Sequence, residues 1–282
     1  MKIFIAEEAG FCFGVKRALR LINQLHEQGN SIQIYGQLIH NTTILKDLKA
    51  KGIECIDSLK GLDPKKKIVI RTHGISQDQE EKLKREGFAY IDVTCPLVKK
   101  LHFILEKLNN EKKRVIIIGD KTHPEIIAAK SYCSNVKVIN SIEDLEDMKK
   151  VKELSVVAQT TLDSSHFKNI VSRLIEKAER IEIYNTICEA TKARQMSIKK
   201  MAPRVDSVVV IGGKNSSNTQ KLFDIASQKN ENTYYIEESK NLYTSGVIEK
   251  IRHFQSVGIT AGASTNPEEI EKVKNILINI SN

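Results

Sequence analysis

Tryptophan is absent from this chain of 282 residues, and aromatic residues make up only 5% of it. Surfaces that stack single-stranded bases need aromatic side chains interleaved with basic ones, so nucleic acid is disfavoured as a partner. No apolar run reaches the ~18 residues that a membrane-spanning helix needs. Closely spaced Cys-x-x-Cys pairs, the usual ligands of a structural zinc clip, do not occur. Gly212-Gly213-Lys214-Asn215 lacks the glycines and the Lys-Ser/Thr pair of a nucleotide phosphate loop, so a nucleotide is not the expected anion. The start, Met1-Lys2-Ile3-Phe4-Ile5-Ala6-Glu7-Glu8, runs into a strand and then into acids, unlike a signal or transit peptide. The expectation is a cytoplasmic protein.

What is present is an ordinary globular mixture, 40% hydrophobic and 28% charged, with a net charge of +9. Lysine-rich helices such as residues 46–51 account for much of that charge. The remainder favours anionic partners. The five cysteines, Cys12, Cys55, Cys95, Cys133 and Cys188, are odd in number and widely spaced. That pattern disfavours a disulfide framework and favours metal or redox use. Short apolar runs recur at 3–5, 32–35, 68–70, 115–118, 155–158, 208–211 and 256–259, with amphipathic helical stretches between them. This alternation predicts an α/β fold with mostly parallel sheets.

The register of the alternation repeats three times. Cys12, Cys95 and Cys188 each follow a strand and open a helix. His40, His123 and Ser216 each lie 28 residues further on, and each has a glycine four residues before it: Gly36, Gly119 and Gly212. A further polar loop closes each copy, at Arg71-Thr72-His73-Gly74, at Gln159-Thr160-Thr161 and at 261–265. The spacing predicts three α/β units related by a pseudo-three-fold axis. Their bounds are 12–94, 95–187 and 188–282, with strand 1–8 completing the set. Loops at the carboxyl ends of parallel strands face one side, where ligands bind. The cysteines are therefore expected to converge there, around a central cofactor. Pro96, Pro124 and Pro267 mark first helical positions.

Three convergent thiolates make a metal site with one position open. An iron–sulfur cluster is favoured over zinc, because ligands 83 and 93 residues apart suit a large cofactor at a junction. Burial of the same cysteines as small hydrophobes carries equal weight at this point. Cys55 and Cys133 break the register and are read as core residues. His40, His73 and His123 stand in equivalent loops, where they can meet an anion, donate protons or bind metal. Thr160, Ser216, Ser217, Asn218 and Ser264 are read as helix-start residues, able to cap a helix or to bind an anion with the same amides. Glu125 is the one acid beside these loops; in a dry pocket its pKa would rise and fit it to donate a proton.

Residues 11–15, His40-Asn41, Arg71-Thr72-His73-Gly74, Asp92-Val93-Thr94-Cys95-Pro96, Thr122-His123-Pro124-Glu125, Gln159-Thr160-Thr161, Ile187-Cys188, Ser216-Ser217-Asn218 and 261–265 closely resemble the 4-hydroxy-3-methylbut-2-enyl diphosphate reductase family. The resemblance spans the whole chain. It implies reductive dehydroxylation of an allylic diphosphate to isopentenyl and dimethylallyl diphosphate, in the non-mevalonate route to isoprenoids. It implies a [4Fe–4S] cluster held by Cys12, Cys95 and Cys188, with the fourth iron taking the substrate hydroxyl. It places His40, His73, His123, Ser216, Ser217, Asn218 and Ser264 on the diphosphate. Glu125 is implied as proton donor, with Thr160 completing the relay and His123 in the catalytic group. Flavodoxin or ferredoxin is the implied electron donor. Two alternatives remain open: an open-iron hydro-lyase acting without net reduction, and a non-catalytic cluster-based sensor.

Overall fold

The computed structural model describes residues 1–280. Its strands are β1 (Lys2–Ile5), β2 (Ile32–Tyr35), β3 (Glu54–Ile56), β4 (Lys67–Ile70), β5 (Tyr90–Asp92), β6 (Val115–Ile118), β7 (Val136–Ile139), β8 (Val151–Ala158), β9 (Ala178–Tyr184), β10 (Ser207–Ile211), β11 (Thr233–Ile236) and β12 (Ser256–Ala261). The α-helices are α1 (Phe13–Glu27), α2 (Thr42–Ala50), α3 (Gln77–Arg85), α4 (Pro96–Asn110), α5 (Pro124–Lys130), α6 (Ser164–Leu174), α7 (Glu189–Met201), α8 (Ser217–Ser227), α9 (Asn241–Thr244), α10 (Val247–Ile251) and α11 (Pro267–Asn279).

Twelve strands form three four-stranded sheets, ordered β3-β2-β4-β5, β7-β6-β8-β9 and β11-β10-β12-β1. Every pairing between neighbours is parallel. Written by order of appearance within each copy, all three sheets read second, first, third, fourth. The third sheet obeys this only because β1, from the start of the chain, takes its fourth place beside β12. The protein is thus three parallel-sheet α/β units of one topology, as the repeated spacing predicts.

The chain divides into two compact units. The first comprises Met1–Lys16, His40–Asp47 and Glu189–Asn282 and contains the β1–β12–β10–β11 sheet. The second comprises Arg17–Ile39 and Leu48–Cys188 and contains the other two sheets.

The central strands explain why the sequence shows unbroken apolar runs rather than alternation. A parallel sheet is covered by helices on both faces, so both sets of side chains are buried. Along β6, Ile116 and Ile118 pack with Phe167 and Ile170 of α6. Val115 and Ile117, pointing the opposite way, pack with Leu101, Leu105 and Leu108 of α4 and Ile126 of α5. Strand β10 repeats the arrangement: Val209 and Ile211 join the α10–α11 side, and Val208 and Val210 the α7–α8 side. The sheets therefore rest on aliphatic packing, and their carboxyl-end loops are left to carry polar residues.

Candidate active site

Each repeat presents its cysteine by the same backbone hydrogen bond. In the second unit, the Cys95 amide donates to the Thr72 carbonyl at 2.9 Å and the Cys188 amide donates to the Thr160 carbonyl at 2.9 Å. In the first unit, the Cys12 amide donates to the Ala263 carbonyl at 3.0 Å. Thr72, Thr160 and Ala263 each stand two residues past the end of the third strand of their sheet, β4, β8 and β12. One bond, made at one register position, sets three thiols at three helix starts. All three are half-buried thiols, not disulfides. Cys133 is buried, as a core residue should be; Cys55 is instead half-buried in the edge strand β3, so its reading as core is corrected.

Thr160 connects one of these thiol loops to the acid. Its amide donates to Glu125 Oε1 at 2.7 Å and its hydroxyl donates to Oε2 at 2.7 Å. Its carbonyl accepts from Cys188. Glu125 is 1% exposed. Desolvation pushes its carboxyl above the usual range, and the two bonds from Thr160 pull it only part of the way back. The result is a carboxyl with a raised proton affinity and a fixed orientation beside a thiol loop.

Glu125 begins α5, whose cap is His123. The Glu125 amide donates to His123 Nδ1 at 3.2 Å, so Nδ1 is an acceptor and the ring's proton sits on Nε2. The ring of His123 meets that of His73 edge to face, with centroids 5.4 Å apart. His123 is buried and His73 half-buried. The second unit thus brings together Cys95, Cys188, His73, His123, Glu125 and Thr160 on the carboxyl ends of its two sheets.

The first unit carries a neutral cradle. Ser216 caps α8, its hydroxyl accepting from the Thr219 amide at 3.3 Å. Ser217 follows in the first turn. Asn218 is 4% exposed, and its side-chain Nδ2 and Oδ1 are both buried without a hydrogen-bond partner among the described residues. An amide left with both ends unmatched costs about 1–3 kcal/mol per group, which an incoming polar ligand would recover. Together with the amides opening α8, it fits a phosphate-type anion. Asn41 Nδ2 donates to the Ser264 carbonyl at 2.7 Å, and the Ser264 hydroxyl lies 3.4 Å from the His40 carbonyl. Gly213 is forced by the same crowding, since a Cβ there would come 2.5 Å from the His40 carbonyl oxygen. The loops of His40, Ser216 and Ser264 are therefore clamped together by backbone.

Two expectations need correction. Thr160 and Ser264 do not cap helices; Asp163 and Asn266 cap α6 and α11 instead. Their hydroxyls are thereby left for other partners. In the second repeat, Thr161 rather than Thr160 occupies the register of His73 and Ser264, three residues past the strand. The sequence shows Asn41 only as the neighbour of His40 in a motif, and gives no role to Arg194, a residue buried on α7. The α7 spacing of Thr191, Arg194 and Gln195, at i, i+3 and i+4, was the available signal.

Strand-end loops with half-buried thiols and a buried carboxyl in one unit, and a hydroxyl–amide cradle in the other, mark a parallel α/β protein whose polar chemistry is gathered on its strand-end loops. A model of the LytB protein family matches residues 3–278, and the chain belongs to that family. The 4-hydroxy-3-methylbut-2-enyl diphosphate reductase of Thermoanaerobacter sp. (strain X514) is 41% identical over 278 residues, covering 97% of this chain and 95% of the relative. That of Aquifex aeolicus (strain VF5) is 40% identical over 279 residues, covering 96% and 94%. A solved (E)-4-hydroxy-3-methyl-but-2-enyl diphosphate reductase, described as the terminal enzyme of the non-mevalonate pathway, is 37% identical, with TM-score 0.72, covering 99% of this chain and 100% of its own. The E-1-hydroxy-2-methyl-but-2-enyl-4-diphosphate reductase of Plasmodium falciparum is 27% identical, with TM-score 0.92, covering 99% and 88%.

Gly213→Ala should destabilise the first unit by about 1–3 kcal/mol, since a methyl cannot fit against backbone without displacing it. A lower urea midpoint would show this, and a wild-type midpoint would contradict the crowding. For Glu125, the raised folded pKa means the native state binds more protons than the unfolded chain above the usual carboxylate pKa. Its contribution to stability is therefore fully present below the unfolded value of 4.5 and is lost as pH rises through the folded value. Glu125→Gln does not titrate, so its stability relative to wild type should rise with pH across that window. Parallel stability–pH curves for the two proteins would refute the raised pKa.

Proposed function

We propose that this chain reductively dehydroxylates 4-hydroxy-3-methylbut-2-enyl diphosphate. Two electrons and two protons enter; the allylic C–O bond breaks, its oxygen leaves as water, and isopentenyl and dimethylallyl diphosphate result. The observation that carries this reading is Thr160, which joins the Cys188 loop to the buried Glu125 carboxyl through three of its own atoms. The family membership and the named reductases it is similar to support the same substrate.

Three half-buried thiols at repeat-equivalent positions, spread over the chain, suit a [4Fe–4S] cluster with one iron left open, and Cys12, Cys95 and Cys188 would hold it. When bound, such a cluster supplies electrons and a Lewis acid for the hydroxyl. The protein's own residues do the rest. Ser216, Ser217, Asn218 and Ser264 offer donors to the diphosphate, and His40, His73 and His123 add imidazole donors for its negative charge. Anchoring that end lets binding energy orient the far hydroxyl. Glu125 holds the proton for the departing oxygen, and the Thr160 hydroxyl, bonded to it, relays toward the same place. His123, with its proton on Nε2, is a second donor. Electrons arrive from a flavodoxin- or ferredoxin-type protein, whose acidic surface suits a chain of charge +9. Among the described residues no helix is long and apolar enough to cross a membrane, consistent with a cytoplasmic place for such a reaction.

Serine in place of Cys12, Cys95 or Cys188 should abolish the cluster's absorbance and its activity, whereas Cys133→Ala should keep both. Intact absorbance in Cys188→Ser would reject the ligand assignment. A general acid contributes about 10²–10⁴-fold, and Glu125→Gln should lose that much turnover while keeping cluster and substrate affinity. The assay is anaerobic and dithionite-driven. Turnover without any reductant would point to a hydro-lyase instead.

A further inference from the structure

Helix α7 buries polar residues where a helix packed on a sheet ordinarily buries aliphatic ones. Thr191, Arg194 and Gln195 share its buried face with Ile198. Their spacing makes one stripe along the helix. Arg194 is the costly member: a guanidinium does not give up its proton, so it goes into the interior charged, and it is 2% exposed.

Its hydrogen bonds say where that charge is used. Nη2 donates to the Gly10 carbonyl at 2.8 Å, and Nη1 donates to the Ala190 carbonyl at 3.1 Å. Gly10 lies two residues before Cys12. It has φ +93°, and a Cβ there would stand 3.1 Å from Ile270 Cδ1 and 3.4 Å from the Thr265 carbonyl. Only glycine holds that carbonyl in place without strain. On the other side, Cys12 is tied by its amide to Ala263. The Gly10–Cys12 loop is thus fixed at two points, one of them a buried cation.

We propose that Arg194 is a positioning residue for the Cys12 thiolate: it locks the ligand loop and places a permanent positive charge at its base, which raises the reduction potential of the bound cluster. This rests on the reading of Cys12 as a cluster ligand. The sign follows from charge. Reduction makes a thiolate-held cluster more negative, and a fixed cation in a poorly solvated place favours that state.

The test uses Arg194→Gln, which removes the charge, and Arg194→Lys, which keeps it but loses the fork. In cluster-free protein, at a pH high enough to ionise every accessible thiol so that the lost charge does not itself change the thiolate fraction, iodoacetamide labelling of each cysteine is followed by mass spectrometry. Arg194→Gln should speed labelling of Cys12 about tenfold, the factor expected for one charged hydrogen bond, with Cys133 unchanged. In cluster-loaded protein, a redox titration followed by electron paramagnetic resonance should show the reduced-to-oxidised ratio of Arg194→Gln lowered about tenfold at fixed potential, about 59 mV for a one-electron couple. Arg194→Lys should recover most of that shift. Uniform acceleration of all five cysteines would assign Arg194 to general stability and overturn the proposal, as would wild-type Cys12 labelling together with a wild-type potential. If the wild-type protein takes up no cluster on anaerobic reconstitution, the reductase reading fails. The labelling arm still decides whether Arg194 locks the Cys12 loop.

Discussion

Thr160 uses its amide, its hydroxyl and its carbonyl at once, and the candidate site is arranged around the result. The first two give each oxygen of a buried carboxyl one hydrogen bond; the third fixes the amide of a thiol-bearing residue. Two of the three bonds are made by the main chain, so only the hydroxyl is open to change through the side chain. The position of Glu125 relative to the Cys188 loop is therefore set by backbone geometry at the end of β8, which the aliphatic core around β8 holds in turn. A group meant to hand over a proton must sit within hydrogen-bond reach of its target, and a small displacement costs a large factor in rate. Rigid main-chain bonding suits that demand better than a flexible side-chain network.

The threefold topology explains how one register serves different chemistry. Five residues past the first strand of each sheet stand His40, His123 and Ser216; three past the third strand stand His73, Thr161 and Ser264. The backbone is repeated, and the side chains have diverged. His123 and Ser216 both cap the helix that follows them. His40 does not: the Ile44 amide donates to Asn41 Oδ1, one residue on, so α2 starts later and Asn41 makes the capping bond in its place. The same strand-end position yields an imidazole in two copies and a hydroxyl in the third, so one backbone position carries an ionisable donor or a neutral one according to the copy.

The parts of this arrangement legible in the sequence were those with strong periodicity or fixed spacing. The central strands β2, β4, β6, β8, β10 and β12 stand out because burial on both faces writes them as unbroken aliphatic runs. The edge strands β7, β9 and β11 do not, since none of them is buried along its whole length and Glu179-Arg180-Ile181-Glu182-Ile183-Tyr184 reads as well for a loop. The three cysteines were visible because a spacing of 28 residues recurs after each of them. The capping roles were misassigned because Thr160 and Ser264 look like cap residues, and only coordinates show Asp163 and Asn266 making those bonds. Arg194 was harder to read for a different reason: only its i, i+3, i+4 spacing with Thr191 and Gln195 hints at burial, since an arginine on a helix ordinarily reads as a solvated face, and its burial depends on the chain's first residues folding beside its last hundred.

Buried polar groups of this kind work against stability, and their distribution is informative. Glu125, Arg194 and Asn218 are each nearly removed from solvent. An unmatched buried amide costs about 1–3 kcal/mol, and a buried charge costs several more unless it is well paired. Each fully buried aliphatic side chain returns about 1.5–3 kcal/mol, so a few core residues offset each such group. Val115, Ile117, Leu101, Leu105 and Leu108 behind Glu125 are all fully buried. Behind α7 and α8, Ile198, Val208, Val210 and Leu222 are likewise fully buried. The polar groups sit at the ends of these cores rather than within them. The surplus of the sheets is thus located where the strand-end loops need support, and the loops can keep a desolvated carboxyl, a buried cation and an unmatched amide without unfolding. Folding alone gains nothing from Asn218 as it stands; a ligand that satisfies both ends of that amide recovers the loss on binding, which ties affinity to a cost already met by the scaffold.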